Sequence, residues 1–365
     1  MNILSMADST LQIIHYLASR YCAGRRTGTR GWKRAQQYII QQMQDLGILP
    51  FYGESYIQPL PQLQGNIEGA NLLGYIPGQG RLKNRYIMIE AHYDHLGLDE
   101  DELGYYPGAD DNAAAVGIIL RAAGHFHADP PQANRRSILV ACFDAEEPPF
   151  FNSPHMGVER FCKTNPEVLN AIDLAVFLDL MGHGLGTETH EKIMDSFFLI
   201  GGEKCGIGPV LNQLETSVES IYPRRMGIHA IPPSGNYIAF KNRGRPFIFA
   251  TSGRNHFYHT LFDSAEKLDY PKINRLVLYF SYLLRDLSTA PREYFSYTPK
   301  GAADTESLKS LKEMFQVMDP ETPNLDNILN YIEKAEKICK SNGNLPLPEQ
   351  SKLLHLVKLI EQYVS

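Results

Sequence analysis

One short apolar stretch that stops at a cluster of polar residues constrains this chain more than any other feature. Residues 86–91 (Tyr-Ile-Met-Ile-Glu-Ala) run directly into His92-Tyr-Asp94-His95. A mainly apolar run that is too short for a helix and ends so abruptly favours a buried β-strand. In an open α/β sheet, ligands bind beyond the carboxyl ends of the strands. The stretch therefore predicts chemistry at one edge of a sheet.

Several other apolar runs end in the same way. Residues 136–143 lead into Glu146 and Glu147, residues 173–178 lead into Asp179, and residues 245–250 precede Tyr258 and His259. Helical stretches separate these runs. Strands that alternate with helices predict a mostly parallel α/β sheet with helices on both faces.

The polar residues near the predicted strand ends form a candidate site: His92, Asp94, Asp111, Glu146, Glu147, Asp179 and His259. Imidazole and carboxylate ligands without cysteine are typical of catalytic zinc. Two neighbouring ions need one bridging carboxylate, and together they polarise a carbonyl and activate a water. A spare glutamate takes the proton of that water. A lone histidine is more often a satisfied polar residue, and an aspartate before a helix is often an N-cap, so the prediction rests on how many residues converge.

Composition narrows the class of protein. The chain has 365 residues, of which 43% are hydrophobic, and a net charge of −6, so no basic surface is expected for nucleic acid or an anionic membrane. Its five cysteines include no CxxC pair, which indicates a reducing compartment. We find no signal peptide and no apolar run of membrane-spanning length. These observations predict a cytoplasmic protein.

The last quarter of the chain carries none of this chemistry. Residues 305–318, 324–340 and 349–364 look helical and are separated by prolines, and the last of them carries an apolar stripe of Leu353, Leu356, Val357 and Ile360. We expect a domain of residues 1–290 and a helical C-terminal extension of residues 291–365. The extension is expected to pack against the domain. An oligomer contact or a cover for the site is the functional alternative.

Five motifs in order make the chain resemble a known family, the M28 di-zinc aminopeptidase-type metallopeptidases. They are Ala91-His-Tyr-Asp-His-Leu-Gly97, Gly108-Ala-Asp-Asp-Asn112, Ala145-Glu-Glu147, Leu178-Asp179 and His259-Thr-Leu-Phe-Asp263. The similarity extends from about residue 17 to 287. It implies the zinc-dependent exopeptidase fold, which is a single α/β domain around a mixed, largely parallel sheet of eight strands.

The resemblance also implies two zinc ions and their ligands. His92 and Asp179 match the residues that hold the first ion, and Glu147 and His259 match those that hold the second. Asp111, directly before Asn112, matches the carboxylate that bridges the pair.

Other site residues follow from the same resemblance. Asp94 matches a carboxylate that orients His92, and Glu146 matches the general base. Tyr258 occupies the place of a tyrosine that hydrogen-bonds the oxyanion. Asp110 is the alternative to Asp111 as the bridging carboxylate, one position away.

The implied activity is that of a di-zinc metalloaminopeptidase, which acts on peptides with a free N-terminus. A glutaminyl cyclase or another amidohydrolase on the same site is one alternative, and a binding protein that acts through its helical tail is another. Two stretches depart from the family pattern: residues 148–158 replace Gly-Leu-x-Gly-Ser, and Ser234-Gly-Asn236 lacks the usual Asp and His. Both departures bear on substrate preference. Residues 222–237 are expected to line the pocket, and the acidic loop of residues 99–102 is a solvated loop or a rim of the site.

Overall fold

The central sheet gathers the predicted strands. A computed structural model describes residues 3–63, 67–99, 101, 104–130, 132–185, 190–230, 234–299, 303–342 and 344–364, and nine strands lie in this part of the chain. They are β1 (Leu49–Pro50), β2 (Ile57–Leu63), β3 (Ile67–Ile76), β4 (Tyr86–His92), β5 (Ser137–Phe143), β6 (Ile172–Asp179), β7 (Ser196–Ile200), β8 (Tyr222–Met226) and β9 (Phe247–Thr251). The resemblance implied eight strands, and the shortest of the nine, β1, has only two residues.

The strand order is β1-β3-β5-β4-β6-β9-β7-β8, and β2 lies beside β1 along the same edge of β3. The four central strands β5, β4, β6 and β9 are parallel. Strand β3 runs antiparallel to β5, and β7 runs antiparallel to β9. The sheet is thus mixed and largely parallel at its centre, which confirms the predicted fold class.

Both faces of the central strands are buried. In β4, Ile87 and Ile89 belong to one apolar cluster and Met88 belongs to the other. Strand β5 alternates in the same way, with Val140 in the first cluster and Leu139 in the second. Successive side chains of a strand point to opposite faces. Burial on both faces therefore explains why these strands are nearly continuous apolar runs in the sequence.

Helices cover the two faces of the sheet. Among the described residues they are α1 (Ile3–Leu17), α2 (Arg30–Asp45), α3 (Ala115–Ala128), α4 (Gly157–Thr164), α5 (Pro166–Ala171), α6 (Glu191–Met194), α7 (Gly208–Leu214), α8 (Tyr237–Lys241), α9 (Tyr270–Thr289), α10 (Ala303–Phe315), α11 (Leu325–Asn342) and α12 (Leu347–Val364). Helices α1, α2, α3 and α9 contribute to the first apolar cluster. Helices α4, α8, α10, α11 and α12 contribute to the second.

The C-terminal helices are part of the second apolar cluster. Leu311 of α10, Ile332 of α11 and Leu353 of α12 are buried in it together with Tyr237 and Phe240 of α8. The extension therefore packs against the main domain, as expected. In the apolar stripe of α12, Leu353, Leu356 and Val357 are buried, whereas the side chain of Ile360 lies outside the described residues. The boundary at residue 290 stays a prediction.

Two expectations about cysteines and membranes can be compared with the structure. All five cysteines are free, and four of them are buried. No disulfide framework is therefore present. None of the described helices combines the length and the apolar character that crossing a bilayer requires.

Candidate metal centre

The parallel strands bring their carboxyl ends, and hence the predicted residues, to one place. His92 is the last residue of β4 and pairs with Phe143, the last residue of β5. Asp179 ends β6 and pairs with Thr251, which ends β9. Residues that directly follow these ends are therefore delivered to a common edge of the sheet. All five predicted ligands meet there.

The first group of ligand atoms comes from β4, β6 and the turn before α3. His92 Nε2 lies 3.3 Å from Asp111 Oδ1 and 3.5 Å from Asp179 Oδ1. Zinc holds such ligands at about 2.0–2.2 Å in a tetrahedron, which puts neighbouring ligand atoms roughly 3.3 Å apart. The three side chains are therefore spaced for one ion.

The second group uses the other oxygen of Asp111. His259 Nε2 lies 3.0 Å from Asp111 Oδ2 and 3.3 Å from Glu147 Oε1. Asp111 thus turns one carboxylate oxygen to each group. A carboxylate in this position is suited to bridging two cations.

Several buried polar atoms of these groups lack hydrogen-bond partners. They include Asp111 Oδ2 and Asp179 Oδ1, for which no partner occurs among the described residues. Burying such oxygens without a partner is unfavourable, and a bound cation would satisfy them. The donor set, two imidazoles and three carboxylates, fits zinc.

The charges of the histidines and carboxylates in this cluster balance one another. Burial alone would lower the pKa of His259, but the carboxylates of Asp111 and Glu147 raise it to about 10. Burial by itself would raise the pKa of Asp111. The neighbouring His259 and His92 outweigh that effect, so the pKa of Asp111 lies well below its usual range. The Asp111 carboxylate is therefore held in its ionised form, which is the form that binds a cation.

Asp110, the alternative bridging residue, faces the other way. Its Oδ1 accepts a hydrogen bond from the Gly182 backbone amide at 2.6 Å. Its Oδ2 lies 2.7 Å from His183 Nδ1 and accepts a hydrogen bond from Asn255 Nδ2 at 2.9 Å. Both oxygens of Asp110 are occupied by loop contacts, which leaves Asp111 as the candidate bridge.

Asp263, the last residue of the resemblance motifs, holds the Asp110–Asp111 backbone. Its two carboxylate oxygens accept hydrogen bonds from the amides of Asp110 (2.8 Å) and Asp111 (3.1 Å). Burial, and then the charge of Asp110, raise the pKa of Asp263 to about 7. The position of the Asp111 backbone therefore depends on a residue that follows His259 in the same loop.

Asp94 contacts a different part of the site from the one predicted for it. Its Oδ1 lies 3.7 Å from His92 Nδ1, too far for a hydrogen bond. The same carboxylate accepts hydrogen bonds from the backbone amides of Glu146 (3.2 Å) and Glu147 (3.0 Å). In this structure Asp94 therefore positions the paired glutamates directly, whereas it only approaches the histidine.

Glu146, the predicted base, lines the cavity above the ligand groups. Burial raises the pKa of its carboxyl group well above the usual value, and the nearby Asp179 and Glu90 raise it further, although His92 opposes them. A buried carboxylate of high basicity is suited to accepting a proton from water. Tyr258 lines the same cavity, and its ring stacks on that of His259 at 3.8 Å.

Three residues in the ligand-bearing loops have left-handed backbones without being glycine. They are Ala145, Leu180 and His259, with φ of 58°, 54° and 57°. Each immediately precedes, follows or is itself a predicted site residue. Such conformations cost of the order of 1 kcal/mol or more and are retained where the surroundings determine them. The strain indicates that the loops are held in place for the site.

His95, to which the sequence patterns assigned no role, lies directly beside the second ligand group. It is fully buried, and its Nδ1 lies 3.3 Å from Glu147 Oε1 and 3.9 Å from Asp111 Oδ2. Neither ring nitrogen has a hydrogen-bond partner among the described residues. Its place directly after Asp94 at a strand end was the indication available in the sequence.

Replacing His95 by leucine, which is similar in size but has no nitrogen, is expected to weaken metal binding to the second group about 10- to 100-fold. The first group, which contains His92, should keep its affinity. Stepwise calorimetric titration of the metal-free protein with Zn²⁺ measures both. His127→Leu on the exposed end of α3 is the matched control. Two wild-type binding steps in the His95 variant would contradict the assignment.

Arg25 is a second residue that sequence analysis missed. It is completely buried and donates five hydrogen bonds of 2.6–3.1 Å to backbone carbonyls. The acceptors belong to Leu17, Tyr93, Pro107, Gly108 and Asp111. Its guanidinium group therefore joins the loop after β4 to the turn that carries Asp111.

A cavity of about 250 Å³ opens over the ligand groups. Besides the site residues, Phe151, Phe249 and Arg254 line it, as do Leu354, Val357 and Lys358 of α12. Of the expected pocket stretch 222–237, Ser234 and Gly235 are the described residues that line the cavity. Residues 222–226 instead form β8 at the edge of the sheet, and residues 231–233 lie outside the described residues.

The role expected for the acidic loop of residues 99–102 stays a prediction, because Glu100 and Glu102 lie outside the described residues.

Comparison with known sequences identifies the same region. The model of peptidase family M28 matches residues 71–284, which is more than half of the chain. A curated relative, the uncharacterized protein YfbL of Escherichia coli strain K12, is 26% identical over 226 residues. That alignment covers 56% of this chain and 66% of the relative, just under two thirds of its length.

Solved structures with the same fold include enzymes of two kinds. The LapA aminopeptidase of Legionella pneumophila has a TM-score of 0.60 at 15% identity, over 79% of this chain and 74% of that one. A Zn-dependent exopeptidase from Parabacteroides distasonis (TM-score 0.58, 17% identity) covers 78% and 98% of the two chains. The glutaminyl cyclase of Porphyromonas gingivalis has a TM-score of 0.57 at 17% identity, and the match covers 77% of this chain and 98% of that one. These structures agree in fold, and the family match extends across all five motifs, so the chain belongs to peptidase family M28.

Proposed function

We propose that this protein is a di-zinc aminopeptidase, which hydrolyses the N-terminal peptide bond of peptides. The observation that carries the proposal is the arrangement of Asp111, whose two oxygens face separate ligand groups. The base candidate Glu146 lines the cavity above them. Membership of a peptidase family supports hydrolysis, and the fold shared with a Zn-dependent exopeptidase supports zinc.

In this proposal the two groups hold one ion each. His92, Asp179 and Asp111 would hold the first, and Asp111, Glu147 and His259 would hold the second. When bound, the zinc pair polarises the scissile carbonyl and makes a water more acidic.

The side chains of the protein perform the proton transfers. The Glu146 carboxylate takes a proton from the attacking water and passes it to the leaving amine. Burial, and then the charges of Asp111 and Glu147, raise the pKa of Tyr258 above its usual value. The phenol therefore stays protonated and donates a hydrogen bond to the oxyanion. A free α-amine is attracted to the carboxylates around Asp111, which favours peptides with a free N-terminus.

A glutaminyl cyclase or a related amidohydrolase is the second candidate. The solved cyclase from Porphyromonas gingivalis shares the fold as closely as the exopeptidase does. This chain offers two ligand groups that share Asp111, the arrangement that a co-catalytic pair of ions requires. The shared carboxylate favours the aminopeptidase.

Metal analysis with a substrate panel tests the proposal. We expect about two zinc ions per chain, as a co-catalytic pair requires. Cleavage of aminoacyl-arylamides should disappear on chelation and return with added zinc. Elemental analysis and release of the arylamine measure the two quantities on the same preparation.

Each alternative predicts a different result. One ion per chain without arylamide cleavage, but with cyclisation of N-terminal glutamine, would establish the cyclase. No bound metal and no hydrolysis would favour a binding protein that acts through its helical tail. Either result would overturn the proposed activity.

A further inference from the structure

The last helix forms one wall of the candidate active site. Leu354, Val357 and Lys358 of α12 line the same cavity as His92 and Glu146. The sequence pattern of this helix predicts mainly packing against the domain, with an oligomer contact or a cover for the site as the alternative. In the structure α12 both packs on the domain through its apolar face and borders the cavity through Lys358.

Helix α12 is held firmly enough to act as a wall. Its residues Leu353, Leu356 and Val357 are buried in the second apolar cluster. At its beginning, Glu349 accepts a hydrogen bond from the Tyr331 hydroxyl of α11 at 2.7 Å through its carboxylate. Just before the helix, the Leu345 amide donates to the buried Asp304 of α10 at 2.8 Å. The helix is therefore anchored both along its face and at its start.

The cavity carries opposite charges on different parts of its wall. The carboxylates of Asp111, Glu146, Glu147 and Asp179 surround the ligand groups. Arg254 and Lys358 supply cationic groups on the lining. The guanidinium of Arg254 lies over the Tyr258 ring at 4.6 Å, which holds it beside the site. A ligand with an amine at one end and a carboxylate at the other matches this distribution.

The size of the cavity limits the ligand. Its volume of about 250 Å³ falls below the 300–1,000 Å³ or so of usual small-molecule sites. Apolar side chains, including Phe151 and Leu354, occupy part of the lining. A long peptide exceeds this volume, whereas a two-residue peptide carries its free carboxylate on the residue directly after the scissile bond.

We infer that the protein prefers dipeptides and that Lys358 binds the free carboxylate of the leaving amino acid. The inference rests on the proposed aminopeptidase activity and adds a substrate class to it. The Lys358 ammonium is a specificity determinant and takes no part in the proton transfers of hydrolysis.

The test compares leucylglycine with leucylglycinamide, which lacks the carboxylate. Wild-type protein is expected to favour the acid about threefold to tenfold in kcat/KM, since one charged contact at a solvent-exposed lysine is involved. Lys358→Met should bring the ratio to within about twofold of one, and Lys358→Glu should favour the amide. Lys352→Met, which removes the same charge from an exposed position of α12, should keep the wild-type ratio.

A binding measurement separates this inference from the proposed activity. Calorimetric titration of the zinc-loaded Glu146→Gln protein with both peptides measures affinity without turnover, and the acid should bind more tightly than the amide in a manner that depends on Lys358. Arylamide cleavage with no preference for the acid would overturn the inference and leave the aminopeptidase intact. No cleavage of any substrate would overturn the aminopeptidase, and equal binding of acid and amide would overturn the inference.

Discussion

Replacing Glu146 by glutamine is expected to lower kcat for peptide hydrolysis by about 10²- to 10⁴-fold. Glutamine has nearly the same shape but cannot accept a proton from water. The zinc content and KM should stay close to wild type, because Glu146 belongs to neither ligand group. Steady-state kinetics with an aminoacyl-arylamide, together with elemental analysis, measures these quantities.

Glu147→Gln is the matched control, since it changes the neighbouring carboxylate in the same way. Glu147 Oε1 lies 3.3 Å from His259 Nε2, so this variant should lose zinc from the second group along with its activity. If Glu146→Gln instead retained hydrolysis, another residue would have to be the base. If the Glu146→Gln variant lost zinc, the Glu146 carboxylate of the wild-type protein would be a metal ligand.

Arg25→Met is expected to destabilise the protein by about 3–5 kcal/mol, which is the largest effect on stability that we predict. The substitution leaves five buried carbonyls without their donor. A buried group deprived of its partner typically costs about 1–3 kcal/mol, and some of these carbonyls will find water or relax. The midpoint of urea unfolding, measured on metal-free protein, gives the change in the free energy of unfolding.

The adjacent arginine provides the control for this variant. Arg26 is exposed, so Arg26→Met should change the free energy of unfolding by no more than about 0.5 kcal/mol. Arg25→Lys should recover little, because an ammonium group cannot reproduce the planar fork of donors. Similar unfolding midpoints for the Arg25 and Arg26 variants would show that the five hydrogen bonds contribute little.

The sequence predicts the central strands well and the edge strands poorly. Strands β4, β5 and β6 are buried on both faces, so their residues form apolar runs that stand out from their surroundings. Strand β2 contains Pro59 and Pro61, and β8 contains Pro223. Each pairs with a single neighbour. An edge strand tolerates proline, because one side of its backbone donates no ladder hydrogen bonds.

Some residues of the candidate site were likewise predictable from the sequence, and others were not. His92, Asp179 and the paired glutamates were predictable because they lie at or just after strand ends, where parallel strands bring side chains together. Arg25 was not, because its acceptors lie between 8 and 86 positions away in the chain. A loop arginine with such distant partners has no local pattern. The resemblance favoured Asp111 over Asp110 as the bridging carboxylate, and the loop contacts that occupy both oxygens of Asp110 agree with that choice.

The wall formed by α12 also concerns the order in which the protein is synthesised. Every residue proposed for hydrolysis precedes residue 260, whereas the helix that narrows the cavity begins at Leu347. On a ribosome the proposed catalytic residues emerge before the helix that narrows the cavity. Proteolytic removal of α12 from the mature enzyme would, on the proposed function, leave all the ligands in place and open the cleft to longer chains. If the dipeptide preference proposed above holds, loss of this segment is expected to relax it.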